Sequence, residues 1–245
     1  MEERKYRVNP KMRGSGIYAC IPQTGECPYK CEDCYFQSGR SYLEPLAENL
    51  PNIPPILIGD EFVIRMNDGN DSSVKKDEVM TVGNKFHNRF YNTSNPDFID
   101  TFDGPVVLTV NPGQYTDKLF HALVNIPVNL MYVRVRVNAW NLDLVERAVE
   151  FYTSKKVPVI LTFMAYYNIE IDEKYKNRYE FRKRTVNSYW CLNKETMNGI
   201  IARFSRNNKY VYSCGSYLTT ECRYCGNCIR EFYNTKDRMI NGYSR

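Results

Sequence analysis

Short apolar runs alternate with stretches of helical periodicity along most of the 245-residue chain. The predicted strands are residues 16–20, 61–66, 105–110, 130–137, 157–163 and 209–213. The predicted helices cover roughly residues 75–91, 116–124, 142–154, 172–184 and 194–206. Such alternation favours parallel strands joined by helical crossovers, with chemistry in the loops at the carboxyl ends of the strands. We therefore expect an α/β fold, either an incomplete (β/α) barrel or an open doubly wound sheet.

The predicted strand 130–137 has two chemically different faces. Its apolar face carries Met131, Val133, Val135 and Val137, and the other face carries Tyr132, Arg134, Arg136 and Asn138. If helices cover the apolar face, the two arginines point into the barrel lumen or cleft, where a buried guanidinium needs an anion. The alternative is an edge strand whose polar face is solvated.

Composition and charge exclude several classes of protein. Hydrophobic residues make up 43% of the chain, enough for a sizeable core, and a formal charge of +5 is too mild to indicate a nucleic-acid binder by itself. No apolar run approaches the ~18 residues of a membrane span, and residues 1–16 lack the apolar region of a signal peptide. We therefore expect a cytoplasmic protein with no membrane partner, in which the nine cysteines favour metal binding over disulfides.

Three cysteines lie close together in the stretch "GECPYKCEDCYF", residues 25–36. They are Cys27, Cys31 and Cys34. A closed structural zinc site uses four protein ligands, and Glu26, Glu32 or Asp33 could supply the fourth. A [4Fe–4S] cluster held by three thiolates instead leaves one iron open to a ligand from outside the protein.

The spacing Cys-x3-Cys-x2-Cys, with Pro28 after the first cysteine and Tyr35 after the third, resembles the signature of the radical S-adenosylmethionine (SAM) superfamily. The resemblance covers roughly residues 16–213 and implies a partial (β/α)6 TIM-like barrel with the motif after the first strand. It further implies that the open iron chelates SAM and that one electron cleaves the C5′–S bond. The resulting 5′-deoxyadenosyl radical abstracts hydrogen from a substrate. A donor such as flavodoxin or ferredoxin would supply the electron.

The resemblance also implies where SAM is contacted. The family has a Gly-Gly-Glu-like turn after its second strand, and the matching "NDGND" contains Gly69, Asn70 and Asp71. The alternative is a plain Asx-Gly turn. The family usually has an aromatic residue before the third cysteine, where this chain has Asp33. The aromatic residues that could pack near the adenine instead are Tyr29, Tyr35 and Phe36.

Strand four of the family often supplies polar or basic groups to the SAM carboxylate or ribose. Arg134, Arg136 and Asn138 occupy that place here, and the alternation of the strand indicates the same residues. Asn111, just after the predicted strand 105–110, is a further ribose candidate or a cap of the following turn.

Four more cysteines form a group near the C-terminus, Cys214, Cys222, Cys225 and Cys228. The tight run resembles ferredoxin-type ligation with one cysteine upstream, whereas zinc ribbons use two separate Cys-x2-Cys knuckles. We predict an auxiliary [4Fe–4S] cluster, with zinc as the alternative. The predicted domains are an N-terminal extension (1–15), the barrel (16–213) and a cysteine-rich tail (214–245).

Cys20 and Cys191 belong to neither group. A free cysteine commonly packs as a small hydrophobe. The alternatives for Cys191 are a substitute ligand in the tail, or a thiol that returns a hydrogen atom to a product radical.

The stretch "KYKNRYEFRKR", residues 174–184, has six basic residues and one acidic residue. On a helix, Lys174, Arg178 and Arg182 would form one stripe, with rings interleaved for base stacking. We therefore favour a nucleic acid or nucleotide as substrate over a peptide or small metabolite. The alternative is a solvated helix whose rings pack on the barrel. A different class of function is a metal-stabilised nucleic-acid-binding protein without radical chemistry.

Overall fold

The computed structural model describes residues 5–31, 34, 42–44, 48, 51–56, 59–111, 125–167, 169–185 and 188–242. Within these residues, seven parallel strands form one sheet that is curled into a half-barrel. In sheet order they are Ile17–Cys20 (β1), Val63–Met66 (β2), Arg89–Thr93 (β3), Val106–Val110 (β4), Leu130–Val137 (β5), Val159–Phe163 (β6) and Val211–Ser213 (β10). The sheet confirms the predicted α/β class, because its strands follow one another in chain order and are parallel.

Three α-helices connect strands of this sheet in the described part of the chain. They are Lys76–Gly83 (α1), Leu142–Ser154 (α2) and Lys194–Ser205 (α3). The predictions for α2 and α3 are confirmed, whereas the predicted helix 75–91 is too long, because α1 ends at Gly83. The predicted helix 116–124 lies outside the described residues. No helix in the described part of the chain combines the length and the apolar composition that a membrane-spanning helix needs.

Six of the seven strands in this sheet were predicted, and β3 is the one that was not. Its side chains are Arg89, Phe90, Tyr91, Asn92 and Thr93, of which three are polar and break the apolar run. Those polar side chains still find partners in the fold. Arg89 pairs with Asp103 at 2.9 Å, and Asn92 donates to the carbonyl oxygen of Met66 at 2.8 Å.

A second, smaller sheet of three antiparallel strands occupies much of the region after β6. It contains Ala165–Tyr167 (β7), Tyr179–Arg182 (β8) and Tyr189–Leu192 (β9), in the order β7-β9-β8. The predicted helix 172–184 is therefore wrong. Only a 3-10 helix, Glu173–Arg178, forms there, and β8 follows it because its aromatic residues pair with β9.

Strand β5 lies inside the sheet, hydrogen-bonded to β4 on one side and β6 on the other, so the edge-strand alternative is wrong. Val133, Val135 and Val137 pack on the helix-covered face, whereas Met131 packs in the opposite cluster, so its predicted place on the apolar face is wrong. Tyr132 belongs to the opposite, concave cluster, and the alternation of a strand puts Arg134 on that face too. The concave face therefore presents the cationic side chain of Arg134, whereas the same orientation for Arg136 stays a prediction.

The cysteine-rich tail covers this concave face. It contains a single helical turn, Cys222–Cys225 (α4), and a longer helix, Asn227–Asn241 (α5), joined at Gly226, whose positive φ of 66° favours glycine. Phe232 of α5 is 1% exposed and packs with Phe90 in the concave cluster. Arg238 donates to the carbonyl oxygen of Leu130 at 3.0 Å and anchors the end of α5 at the start of β5.

Candidate functional site

The three-cysteine loop leaves β1 at the carboxyl edge of the half-barrel and lies against the turns that follow β2 and β3. The sulfur of Cys27 accepts hydrogen bonds from the backbone N–H groups of Tyr29 and Asp71. The hydroxyl of Ser94, just after β3, hydrogen-bonds to the sulfur of Cys31. The backbone N–H of Cys34 donates to the carbonyl oxygen of Cys31 at 3.1 Å. Two backbone N–H donors therefore converge on the Cys27 sulfur, and the Ser94 hydroxyl lies in hydrogen-bond contact with that of Cys31.

Burial raises the pKa of the Cys27 thiol, and burial together with the neighbouring Cys34 and Cys27 raises the pKa of Cys31 to about 11. Asp71 acts in the same direction on both thiols, because a nearby carboxylate disfavours a thiolate. Metal binding at these cysteines must therefore displace protons, and the bound cation would reverse the local charge balance.

The predicted SAM-contacting turn after β2 is next to this loop. Gly69 has a φ of 125°, a conformation that side-chain-bearing residues rarely adopt. The side-chain amide of Asn70 donates to the carbonyl oxygen of Gly25 at 3.1 Å, and the hydroxyls of Tyr29 and Ser73 are 2.9 Å apart. The fold therefore brings the turn that contains Gly69 and Asn70 next to the cysteine loop, and the contact of this turn with SAM stays a prediction.

Asp71 is 7% exposed and accepts five hydrogen bonds from three residues. Ser73 donates through its backbone N–H (3.0 Å) and hydroxyl (2.8 Å), and Thr93 through its hydroxyl (2.8 Å). Ser94 donates through its backbone N–H (2.5 Å) and hydroxyl (2.7 Å). Asp71 therefore joins the turns after β2 and β3 beneath the cysteine loop, and its role toward the SAM amine stays a prediction.

We expect Asp71→Asn to destabilise the protein by about 3 kcal/mol, because the amide turns at least one donor toward the buried donors that now meet a carboxylate. Urea unfolding measures the loss. Asp172→Asn is the matched control, since the Asp172 side chain is 58% exposed and caps a 3-10 helix in a role that asparagine performs equally well. Equal stability of the two variants would contradict the assignment of Asp71 as the joining residue.

Asp68 and Ser94 are residues of this region that the sequence analysis missed. Asp68 is 1% exposed, pairs with Arg65, and accepts hydrogen bonds from Asn9 and Tyr42 at 2.7 Å each. Asp68 could have been recognised from the sequence, because "NDGND" contains a second carboxylate three residues before Asp71. Ser94 carried no such signal, since it follows the strand that the periodicity did not reveal.

The remaining residues predicted to contact SAM lie along the carboxyl half of the sheet. Asn111 is buried at the end of β4, and Arg136 is buried near the end of β5. Asn138 accepts a hydrogen bond from the backbone N–H of Trp140 at 3.0 Å and donates to the Tyr166 hydroxyl at 3.1 Å, so it shapes the turn after β5. Tyr35 and Phe36 lie outside the described residues.

The four tail cysteines come together beside the concave face. The thiol of Cys214 donates to the sulfur of Cys225, which raises the pKa of Cys214 and lowers that of Cys225 to about 6. Cys222 is within electrostatic range of Cys228 and Cys225, and burial raises its pKa. The sulfur of Cys228 is 3.0 Å from the Tyr132 hydroxyl. The four predicted ligands therefore form one neighbourhood.

Arg134 lies near this tail group. It donates to the Tyr132 hydroxyl at 3.0 Å and to the Asn92 side-chain oxygen at 3.4 Å. Burial alone would lower its pKa, but Tyr132, Cys228 and Cys214 outweigh burial and raise it. A contact of Arg134 with the SAM carboxylate stays a prediction.

Both cysteine groups are candidate metal sites. Among the described residues, no group of three or more His, Cys, Asp or Glu side chains is arranged to hold a metal ion. The donor chemistry nevertheless fits thiolate-bound centres, because each group offers soft sulfur ligands with N–H or O–H groups directed at them. The first group offers three thiols and the second four.

The other two cysteines differ in environment. Cys20 is fully buried in the core, where burial raises its pKa to about 12, as expected for a cysteine that packs as a small hydrophobe. The thiol of Cys191 is 3.7 Å from the Glu180 carboxylate. Burial and Glu180 raise its pKa to about 11, although Arg182 acts in the opposite direction. The alternatives for Cys191 stay predictions.

The basic stretch does not form the predicted stripe, because it changes from a 3-10 helix to a strand at Tyr179. Arg182 pairs with Glu180 at 2.7 Å, and Arg178 donates to the carbonyl oxygen of Ala139 at 3.2 Å. The rings of Tyr175 and Tyr179 pack on Trp140, with centroids 5.4 and 5.8 Å away. Nucleic-acid binding stays a prediction, now without its helical stripe.

Comparisons with known proteins identified no relatives. No protein-family model matches the chain, and neither the curated proteins nor the solved structures that were searched contain a match.

Proposed function

We propose that this protein is a radical SAM enzyme in which Cys27, Cys31 and Cys34 hold a catalytic [4Fe–4S] cluster. The observation that carries the proposal is the convergence of the three-cysteine loop, the turn at Gly69 and the hydroxyl of Ser94 at the carboxyl edge of a parallel half-barrel. Three soft ligands with no fourth cysteine in the same loop suit a cluster that leaves one iron open.

We also propose a more specific fold class than the α/β half-barrel described above. We take the half-barrel to be a partial (β/α) barrel of the TIM type, with residues 214–245 as a cysteine-rich extension. The carboxyl edge of such a sheet is where catalytic loops gather. The cysteine loop follows β1 at that edge, which supports this description of the fold.

With the cluster and SAM bound, the site would supply one-electron cleavage of the sulfonium C5′–S bond and a radical that abstracts hydrogen. The residues of the chain would bind and orient the cluster and SAM. The backbone N–H groups of Tyr29 and Asp71 donate to Cys27, and the Ser94 hydroxyl contacts Cys31, which fixes the loop against the sheet. Gly69 keeps the turn free of a side chain, so that a ligand could approach the backbone there.

We further propose that Cys214, Cys222, Cys225 and Cys228 hold a second metal centre, an iron–sulfur cluster in preference to zinc. Four ligands would close that site, which suits a structural or electron-relay role. The donor and the substrate keep the predicted classes: a flavodoxin or ferredoxin, and a nucleic acid or nucleotide ahead of a peptide or small metabolite.

Anaerobic reconstitution with iron and sulfide tests the proposed chemistry. We expect a brown protein with broad absorption near ~400 nm from thiolate–iron charge transfer. On reduction, it should convert SAM to 5′-deoxyadenosine, measured by liquid chromatography and mass spectrometry. A colourless protein that retains zinc and leaves SAM intact would contradict the proposal and favour the metal-stabilised binding protein.

A further inference from the structure

A polar network on the concave face connects the sheet to the tail cysteines. Tyr132 is fully buried, and its hydroxyl is 3.0 Å from the Cys228 sulfur. Because Arg134 donates to the same hydroxyl oxygen at 3.0 Å, the hydroxyl proton is available for the sulfur. The buried phenol therefore acts as a bridge between a guanidinium and a tail cysteine.

Two guanidiniums meet near the same group of cysteines. Arg65 extends from β2 and Arg134 from β5, and each lies within electrostatic range of the other. Asp68 pairs with Arg65, but the hydrogen bonds of Arg134 go to Tyr132 and Asn92, which are neutral. Within the described residues, one carboxylate, Asp68, therefore accompanies two neighbouring cations, and the second positive charge is left without an acidic partner in a poorly solvated place.

The tail cysteines are positioned to balance that charge. Cys222 and Cys228 are within electrostatic range of Arg65, and Cys214 and Cys228 are within range of Arg134. A zinc ion and an oxidised [4Fe–4S] core each carry a charge of +2. With four thiolate ligands, either centre has a net charge of about −2. Such an anionic centre would supply the missing counter-charge for both arginines.

We propose that Arg65, Tyr132 and Arg134 are positioning residues of the tail centre, which hold an anionic metal–thiolate group against the concave face of the half-barrel. This inference rests on the proposed function only in that Cys214, Cys222, Cys225 and Cys228 bind a metal. It assigns Arg134 to the tail centre in place of the SAM carboxylate.

The same network links the tail centre to the predicted SAM region. Asn92 accepts from Arg134 and donates to the carbonyl oxygen of Met66 at 2.8 Å, directly before the turn that contains Gly69. Asp68, the partner of Arg65, belongs to that turn. Residues that orient a metal ligand are themselves held by the surrounding fold, so the tail centre and this turn share supports.

The test uses the full chain with Cys27→Ser, Cys31→Ser and Cys34→Ser, so that bound metal reports on the tail group alone. Arg134→Met or Tyr132→Phe is added, and metal per chain is measured after challenge with increasing chelator. We expect the chelator concentration that removes half of the metal to fall about tenfold or more in Arg134→Met. Arg134→Lys, which keeps the charge but not the planar fork, should recover part of the loss.

Arg89→Met is the control for loss of a guanidinium from the sheet, because the Arg89 side chain is also largely buried, at 16% exposed, but pairs with Asp103 and not with Tyr132. This control should keep its metal. If Arg134→Met does not fold, as judged by circular dichroism, Tyr132→Phe carries the test, since it removes a single oxygen atom.

Three results would overturn the inference. Equal metal retention in Arg134→Met, Tyr132→Phe and Arg89→Met would show that the network does not support the centre, although the centre itself would stand. Weaker SAM binding by Arg134→Met in the otherwise unaltered chain, with tail metal unchanged, would return Arg134 to its predicted role. If the parent triple variant binds no metal, the tail cysteines do not form a metal centre and this inference fails. SAM cleavage by the unaltered chain would still test the proposed catalytic cluster separately.

Discussion

Cys31→Ser is expected to abolish reductive cleavage of SAM and to remove about four iron atoms per chain, because a cluster held by three thiolates loses one of its anchors. Cys31 is buried beside Cys27, Cys34 and Ser94, so its sulfur lies among the groups that would surround the cluster. The measurements are 5′-deoxyadenosine formed under dithionite and iron bound after anaerobic reconstitution.

Cys191→Ser is the control for the loss of a thiol. Its sulfur lies beside Glu180 in the small sheet, in contact with neither cysteine group among the described residues. This variant should keep the full iron content and still cleave SAM. If Cys31→Ser cleaves SAM as well as Cys191→Ser does, the three-cysteine loop is not the catalytic centre.

Phe232→Ala is expected to destabilise the protein by about 4 kcal/mol, the cost of emptying a filled aromatic site. Phe232 is 1% exposed and meets Phe90 with ring centroids 6.4 Å apart, so it fills the concave face from the tail side. Cys228 lies four residues earlier on the same face of α5. Loosening the helix should therefore also weaken metal retention by the tail.

The neighbouring Tyr233 provides the matched control, because this residue is 46% exposed. Tyr233→Ala should cost about 1 kcal/mol or less. Urea unfolding compares the two losses, and hydrogen exchange of residues 227–241 shows whether α5 opens locally. Similar losses for the two variants would contradict the assignment of Phe232 as the residue that docks the tail.

Local pattern was sufficient for much of the sheet. Buried parallel strands read as apolar runs, which is why residues 106–110 and 159–163 could be predicted. The same reasoning failed for β3, whose Asn92 and Arg89 take partners from other parts of the chain. It also failed for residues 179–182, which were predicted to belong to a helix but form a strand paired with β9.

The cysteine spacings and the alternation of β5 were visible in the chain alone, because ligand spacing and strand period are local properties. Which groups meet was decided by the tertiary structure. The Asp71 carboxylate collects donors from residues 22 and 23 positions later, and Tyr132 reaches Cys228 across 96 positions. Contacts between such distant positions leave no periodic trace in a sequence, since they arise only when parallel strands bring their carboxyl ends to one edge and the tail returns to the concave face.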